Sequence, residues 1–372
     1  MFSIINLYLI RQFLQRFFII TCCISVLIIT FNLFDLLDGA GGVPLSTSFF
    51  LAILKLPSFI REMFIFFIMI SVMTTFYSLS LSNEITVMRS SGLSLFKIIT
   101  PISISIFIIG ILLVSVFNEI VIVSDKKYKK IENSLKKDQE DSFIYSPKDG
   151  IWFKQNNFDN LGGKIIFRSG SANNRDIIFY DAKIWYFNSN NEFYQKIDTK
   201  ELRLKGGYLV AQNVRVNNDK LINKKLEDFR MKTDLTSEFI RQKISNNFSD
   251  VRSFSIFKLP NLIEDMKNSG YSTRKFQIYY HSLLSKPFIL IAVSIIALYF
   301  TIVNTRNKNN IFNFIIGVVS GFLLYILIAV SHAFGSSGFI PFFVSTWIFV
   351  VIILAISILL LIIRDHYYLN KN

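Results

Sequence analysis

Apolar residues along this chain are concentrated in six long blocks. Each block holds about 17 or more residues with almost no charge, and a helix needs about 20 residues to cross roughly 30 Å of hydrocarbon. Because backbone polar groups cannot go unpaired in lipid, runs of this length must be helical. The pattern predicts six membrane-spanning helices near residues 17–34, 64–81, 98–118, 283–303, 311–333 and 342–363.

The segment between the third and fourth blocks has a different pattern. It begins with the charged stretch DKKYKKIENSLKKDQED at 125–141, which has helical spacing, and then alternates between apolar and polar positions. Alternation of this kind predicts strands with one buried face. The residues predicted to share that face are Ile178, Tyr180, Ala182, Ile184 and Tyr186 on one strand and Tyr208, Val210, Val214 and Val216 on another.

Several short strands without long helices between them favour a β-sandwich or open barrel. The stretch LPNLIEDMKNSG at 259–270 then predicts a short helix, with Pro260 in its first turn and Gly270 as its stop. The predicted fold is therefore a six-helix integral membrane protein with an all-β domain between helices 3 and 4. Its parts are residues 1–118, 119–275 and 276–372.

Charge indicates the orientation of the helices. If both termini are cytoplasmic, most Lys and Arg residues of the short connecting segments lie in the cytoplasm, as the positive-inside rule requires. Lys55 and Arg61, predicted in the first outer loop, are the exceptions. This orientation places residues 83–97 inside the cell and residues 119–275 outside the cytoplasm.

The sequence lacks the motifs of several enzyme classes. None of the three histidines stands in an HExxH pairing, no serine lies in GxSxG, and GGKI at 162–165 is not a phosphate-binding loop. Cys22 and Cys23 are adjacent inside the first apolar block, where packing is the favoured interpretation. If this protein uses ATP, another chain must supply the nucleotide site.

The polar insert NEITVMRSSG at 83–92 lies between the second and third apolar blocks. It predicts a two-turn helix with Asn83 as N-cap and Gly92 as stop, and with Glu84 in the first turn, where the helix dipole favours a carboxylate. One interpretation is an ordinary interfacial helix. The other is a coupling helix, which docks into a partner subunit and transmits its motion to the spans.

The whole chain resembles the LptF/LptG family of lipopolysaccharide export permeases, and it is more similar to the LptG branch. The insert NEITVMRSSG is similar to the family's acidic, apolar and Ser-Gly pattern. The stretch LPNLIEDMKNSGYSTRKFQIYYHSLLSKPF is similar to the family's helix and Ser-Gly turn that lead into the fourth span, and DGIWFK at 149–154 is similar to the family's strand that opens with Gly-apolar-Trp. The arrangement of three helices, a β domain and three helices completes the resemblance.

The resemblance implies a transport function in the bacterial inner membrane. Family members pair as an LptF and LptG heterodimer, with an LptB-type ATPase dimer on the cytoplasmic side and a single-span LptC-type partner. Lipopolysaccharide enters a cavity between the permeases from the outer leaflet, and ATP-driven closure expels it towards a jelly-roll path to the outer membrane. By this resemblance the β domain is a periplasmic jelly roll. The partner ATPase uses ATP and Mg, and this chain binds no cofactor and no nucleic acid.

The resemblance also assigns roles to residues of the insert. Glu84 matches the acidic position of the coupling helix, which implies an ion pair with an arginine of the ATPase. Arg89 is a second candidate partner contact, or else a positive-inside anchor. Gly92 ends the coupling helix.

Candidate substrate contacts are basic or aromatic. Three lysines share a helical face and could meet lipid phosphates, although a solvated face is the simpler interpretation. The family's lysines at the outer end of span one are replaced here by FNLFDLLDGAGG, which leaves Asn32 at that level, and the candidates to compensate are Lys55, Arg61 or the lysines after span three. Phe322 and Tyr325 are similar to cavity aromatics, or else pack between helices. The three lysines are Lys126, Lys130 and Lys137.

Two other functions remain open at this stage. The chain could be an ABC-type permease for another lipid or for a lipoprotein, with the same coupling-helix mechanism. It could also be a membrane assembly protein that transports nothing.

Overall fold

The computed structural model contains two compact units, residues 1–136 with 277–372 and residues 137–276. The described residues are 4–39, 44–136, 144–145, 150–157, 162–173, 176–218, 221–233, 251–268, 272–302 and 310–369, together with 235, 237 and 240.

Among the described residues, six helices of the first unit are long and apolar enough to cross a membrane, and seven antiparallel strands lie between the third and fourth of them. The predicted fold class is therefore confirmed. Other helices of the chain are α3 (Glu84–Ser90) and α6 (Leu259–Asn268). The long helices are α1 (Ile4–Gly39), α2 (Leu45–Leu81), α4 (Leu95–Leu112) continuing into α5 (Asn118–Lys136), α7 (Arg274–Thr301), α8 (Asn310–Ser337) and α9 (Phe349–Leu369).

Several helices extend well beyond the predicted spans. A π-helical turn at Leu113–Phe117 joins α4 to α5, so the helix passes the predicted end at Asn118 and continues to Lys136. The prediction that Lys55 and Arg61 lie in an outer loop is wrong, because both belong to α2. Hydropathy marks the part of a helix that contacts hydrocarbon, whereas these helices continue into polar sequence.

Close helix packing in the first unit depends on glycines. A Cβ at Gly110 of α4 would lie 2.9 Å from Cα of Pro287 in α7, so these two backbones are almost in contact. Gly317 and Gly321 on α8 form a GxxxG pair, and each leaves room for a methionine of α2. The methionines are Met73 opposite Gly317 and Met69 opposite Gly321. Small residues at such positions allow membrane helices to approach closely.

The β unit is one antiparallel sheet in which β3 to β7 pair in chain order as a meander, while β1 and β2 both pair with β3. Its core includes three phenylalanine rings, Phe153, Phe167 and Phe179, with centroids 4.7–5.4 Å apart. The strands are β1 (Ile144–Tyr145), β2 (Ile151–Asn156), β3 (Lys164–Asn173), β4 (Ile178–Phe187), β5 (Phe193–Lys205), β6 (Tyr208–Asn218) and β7 (Leu221–Lys232).

Partway along β4 and β6, the buried positions switch from odd-numbered to even-numbered residues. On β4 the buried positions are 179 and then 182, 184 and 186, and on β6 they are 209 and 211 and then 214 and 216. Asp181 and Asn213 lie at the change with left-handed φ values of 50° and 54°. Irregularities of this kind disrupt the ladder locally and re-aim side chains. The predicted buried faces are therefore correct for the residues after this switch. They are wrong for the residues before it, which are only partly buried: Ile178, Tyr180, Tyr208 and Val210.

The helix α6 confirms the predicted short helix, with Pro260 in its first turn. The predicted stop, Gly270, lies outside the described residues.

Candidate functional site

The insert between α2 and α4 forms the short helix α3, as predicted. Asn83 precedes it with a left-handed φ of 59°, and its side chain makes no capping hydrogen bond. The prediction of an Asn83 cap is therefore wrong, because a capping side chain accepts from the helix N-terminus when its residue has extended backbone dihedrals.

Gly92 ends α3 as predicted. Its φ is 87°, its N–H donates to the Arg89 carbonyl at 2.9 Å, and the Leu93 N–H donates to the Met88 carbonyl at 3.2 Å. These two bonds form a Schellman motif, which satisfies the last carbonyls of the helix. Nothing lies within 4 Å of a Cβ built at Gly92, so a side chain there would meet backbone strain rather than a neighbouring atom.

The two faces of α3 have different surroundings. Ile85 is buried and joins the core of the membrane unit, with Met88 packed against that core. Thr86, Val87 and Ser90 are exposed, and Val87 exposes 65% of its surface. A helix anchored by one apolar face and carrying an exposed valine on the other fits a surface that a partner protein covers.

Glu84 lies partly buried at the start of α3. Its Oε1 accepts a hydrogen bond from Ser82 Oγ at 2.8 Å. The Ser82 hydroxyl is a neutral donor, so this contact is not an ion pair.

Arg89 forms an ion pair within the chain. Its Nη2 lies 3.1 Å from Oδ1 of Asp365 near the C-terminal end of α9, and the two side chains are 13% and 16% exposed. The structure thus places Arg89 in an internal contact, and its role towards a partner subunit stays a prediction.

A buried polar contact between three helices was not predicted from the sequence. Arg61 of α2 is 6% exposed and donates from Nη1 to Oδ1 of Asn118, 3.2 Å away in the first turn of α5. Lys286 of α7 donates to the carbonyl oxygen of Arg61 at 3.3 Å. Asn118 directly follows the π-helical turn, a distortion that is frequent at functional sites. The sequence signal was polar residues at or next to the ends of apolar blocks.

The predicted lysine face lies on α5. Asp125 and Tyr128 face α2, where Oδ1 of Asp125 accepts from Ser58 Oγ at 2.5 Å and Lys55 lies 5.7 Å from the Tyr128 ring centroid. These contacts leave the other side of α5 in solvent. Exposed there are Lys126 and Lys130, and Lys137 lies outside the described residues.

A family model described as "Lipopolysaccharide export system permease LptF/LptG" matches residues 7–363. The chain belongs to this family. The match does not separate the LptF branch from the LptG branch, so the similarity to LptG stays a prediction. No curated protein matches the chain.

Three further residues predicted to contact substrate occupy two helices of this LptF/LptG-family permease. Phe322 and Tyr325 of α8 lie 6.4 Å and 5.6 Å from the ring of Phe66 in α2, centroid to centroid. Phe322 remains about half exposed, whereas Tyr325 is partly buried. Asn32 of α1 is buried and donates from Nδ2 to the Ile28 carbonyl of its own helix at 2.8 Å.

The β unit of the permease carries a polar groove of about 790 Å³, which lies beside the left-handed residues of β4 and β6. Asp181 and Asn213 lie in its wall with charged residues of β5 such as Glu201 and Arg203. Among the described residues, no group of three or more His, Cys, Asp or Glu side chains is placed to hold a metal ion.

Proposed function

We propose that this chain is one of two permease subunits of an ATP-driven transporter that removes lipopolysaccharide from the outer leaflet of the bacterial inner membrane. It passes the lipid to a periplasmic jelly-roll bridge towards the outer membrane. The nucleotide site belongs to an LptB-type ATPase dimer, which binds ATP and Mg. The observation that carries this proposal is the family match over residues 7–363, together with a short helix, α3, that has one anchored and one exposed face.

The exposed face of α3 is the proposed docking surface for the ATPase. Val87 supplies an apolar contact, and the Glu84 carboxylate, which accepts from the neutral Ser82 hydroxyl, is the group that an arginine of the ATPase would pair. The buried Ile85 then connects the docked helix to the core of the membrane unit. This arrangement is what a coupling helix requires.

Two helices offer surface for the partner permease. Only 6% of the most apolar window of α1 and 17% of that of α8 are buried within this chain. We assign these faces to an LptF-type homologue and to the lipid cavity between the two permeases, with an LptC-type protein beside them. Uncharged helix faces suit acyl chains, whose transfer is governed by apolar area.

The orientation follows from charge. Both termini and α3 lie in the cytoplasm, and the β unit lies in the periplasm, because the short segments on the α3 side carry most of the Lys and Arg residues. Lys126 and Lys130 of α5 then lie on the outer side, where lipid phosphates are found.

The test is reconstitution of the complex with Glu84→Ala. Removing one partner of a buried charge pair costs about 2–5 kcal/mol, so the variant should lose most co-purification with the ATPase and most lipid release, while membrane insertion is unchanged. The matched control is Glu227→Ala, which removes an exposed carboxylate of β7. Normal ATPase binding by the Glu84 variant would refute the coupling assignment.

The same proteoliposomes test the substrate. A photo-crosslinker at Phe322 should capture lipopolysaccharide in the wild-type complex and less in the Glu84 variant. Capture of a different lipid would support the alternative permease, and ATP-independent behaviour with no captured lipid would support an assembly protein.

A further inference from the structure

Two consecutive residues near the end of α9, Arg364 and Asp365, contact three other segments. We call them the C-terminal latch. Oδ1 of Asp365 lies 3.1 Å from Nη2 of Arg89 in α3 and accepts the backbone N–H of Leu95 at 3.2 Å. The carbonyl oxygen of Asp365 also accepts from Arg89 Nη2 at 3.5 Å. One residue of α9 therefore bonds to the coupling helix and to the beginning of α4.

Arg364 extends the latch to α7. Its Nη2 donates to the carbonyl oxygen of Ile302, one residue beyond the last residue of α7, and its guanidinium lies 5.5 Å from the Tyr299 ring centroid. The residues joined by the latch are distant along the chain, with separations of 276 for Arg89 and Asp365 and of 62 for Ile302 and Arg364.

The electrostatics of these contacts is favourable. The Leu95 N–H belongs to the first turn of α4, where backbone donors have no partner within the helix and a negative charge is favoured. The Ile302 carbonyl lies at the opposite kind of helix end, where a cation is favoured. Asp365 thus places a negative charge at the beginning of α4, and Arg364 places a positive charge at the end of α7. The Arg89–Asp365 pair is shielded from most solvent.

The covalent chain gives α3 direct connections to its neighbours α2 and α4 alone. Ser82 and Asn83 lead from α2, and Gly92 and Leu93 lead to α4. Besides the apolar core that Ile85 shares with α7 and α9, Asp365 gives α3 a polar contact with α9, and the adjacent Arg364 contacts the end of α7. The latch is therefore placed to make four segments of the cytoplasmic end move as one body.

We propose that Asp365 and Arg364 are positioning residues that transmit the movement of the coupling helix to α9 and α7. This inference rests on the proposed function, because it requires that α3 is moved by a bound ATPase. It assigns a role in transport to a carboxylate that contacts neither ATP nor lipid.

The experiment compares lipid release per ATP hydrolysed in proteoliposomes that contain the full complex. In Asp365→Asn the amide oxygen can still accept the Leu95 N–H, but the ion pair with Arg89 is lost. We expect ATP hydrolysis within about twofold of wild type and lipid release per ATP lower by about fivefold, a change equivalent to about 1 kcal/mol. Asp365→Glu, which keeps the charge, should restore the ratio.

Two further comparisons separate the latch from general stability. In a double-mutant cycle, Arg89→Gln combined with Asp365→Asn should lower the ratio no further than the Asp365 variant alone, because both remove the same pair. The control Glu192→Gln neutralises an exposed carboxylate in the turn between β4 and β5, where it accepts from Asn188 Nδ2 at 2.9 Å, and should leave the ratio unchanged.

An unchanged ratio in Asp365→Asn, in a complex that transports lipid with the wild-type chain, overturns the inference. So does additive loss in the double variant. If Asp365→Asn lowers complex yield and its melting temperature while the ratio stays normal, the latch is structural only and the proposal is wrong. Failure of the proposed function itself gives a different result, because the wild-type complex would then release no lipid.

Discussion

The contact between α4 and α7 at Gly110 allows a quantitative prediction. A Cβ at this position would lie 2.9 Å from Cα and 3.0 Å from Cβ of Pro287, whereas ordinary contacts begin at 3.4 Å. The nearest atoms belong to a backbone and to a proline ring, so no side-chain rotation relieves the overlap. The Gly110→Ala variant must therefore push the two helices apart locally by at least a few tenths of an ångström.

Overpacking of this kind costs about 1–3 kcal/mol. For a chain of this size, a loss of that order lowers the melting temperature by about 1–4 °C. The assay is thermal unfolding of the purified full-length permease in detergent, followed by loss of the monodisperse peak in size-exclusion chromatography. The matched control is Gly317→Ala, where the nearest atom is Met73 Cε, the end of a flexible side chain that can rotate away.

The melting temperature should therefore be highest for the wild type, lower for Gly317→Ala and lowest for Gly110→Ala. The argument that a rigid neighbour sets the cost would be refuted by either of two results. One is a Gly110→Ala variant with the melting temperature of the wild type, and the other is a Gly317→Ala variant that melts below Gly110→Ala.

Two further predictions concern the coupling helix and the lysine face. Gly92→Ala should weaken ATPase co-purification by a few-fold, because alanine at a φ of 87° costs about 1–2 kcal/mol of strain at the end of α3, and Gly206→Ala in a β-hairpin turn serves as control. Reversing the charge of Lys126 and Lys130 together should reduce lipopolysaccharide crosslinking at least several-fold without loss of membrane insertion, whereas unchanged crosslinking would identify them as a solvated face.

The apolar blocks predicted six helices because each must match a bilayer, and that constraint acts on sequence directly. Helix ends were predicted poorly, as at Asn118, because polar residues continue a helix outside lipid as readily as they end it. The buried faces of β4 and β6 were predicted correctly only for the residues after Asp181 and Asn213. Alternation reports a buried face only while the backbone stays extended, and a left-handed residue shifts the register without changing the composition.

The site was predicted unevenly for similar reasons. Gly92 was found because a left-handed helix end has a local sequence signal, and Asn83 was misassigned because the same residue type suits both an N-cap and a left-handed turn. The pairing of Arg89 with Asp365 had no local signal. It joins residues 276 positions apart, and only the packing of α3 against the end of α9 brings them together.

The length of the helices has a mechanical consequence. At about 1.5 Å per residue, the 37 residues of α2 form a rod about 55 Å long, nearly twice the thickness of the hydrocarbon layer. The continuous helix from Leu95 to Lys136 runs beside it and is fastened to it by Ser58–Asp125 and Lys55–Tyr128. A rod of this length that pivots by about 5° at one end displaces its other end by about 5 Å. If the ATPase rotates α3 as proposed, the pair acts as a lever, by which a small rotation near Glu84 becomes a displacement as wide as an acyl chain at the other end of the two helices.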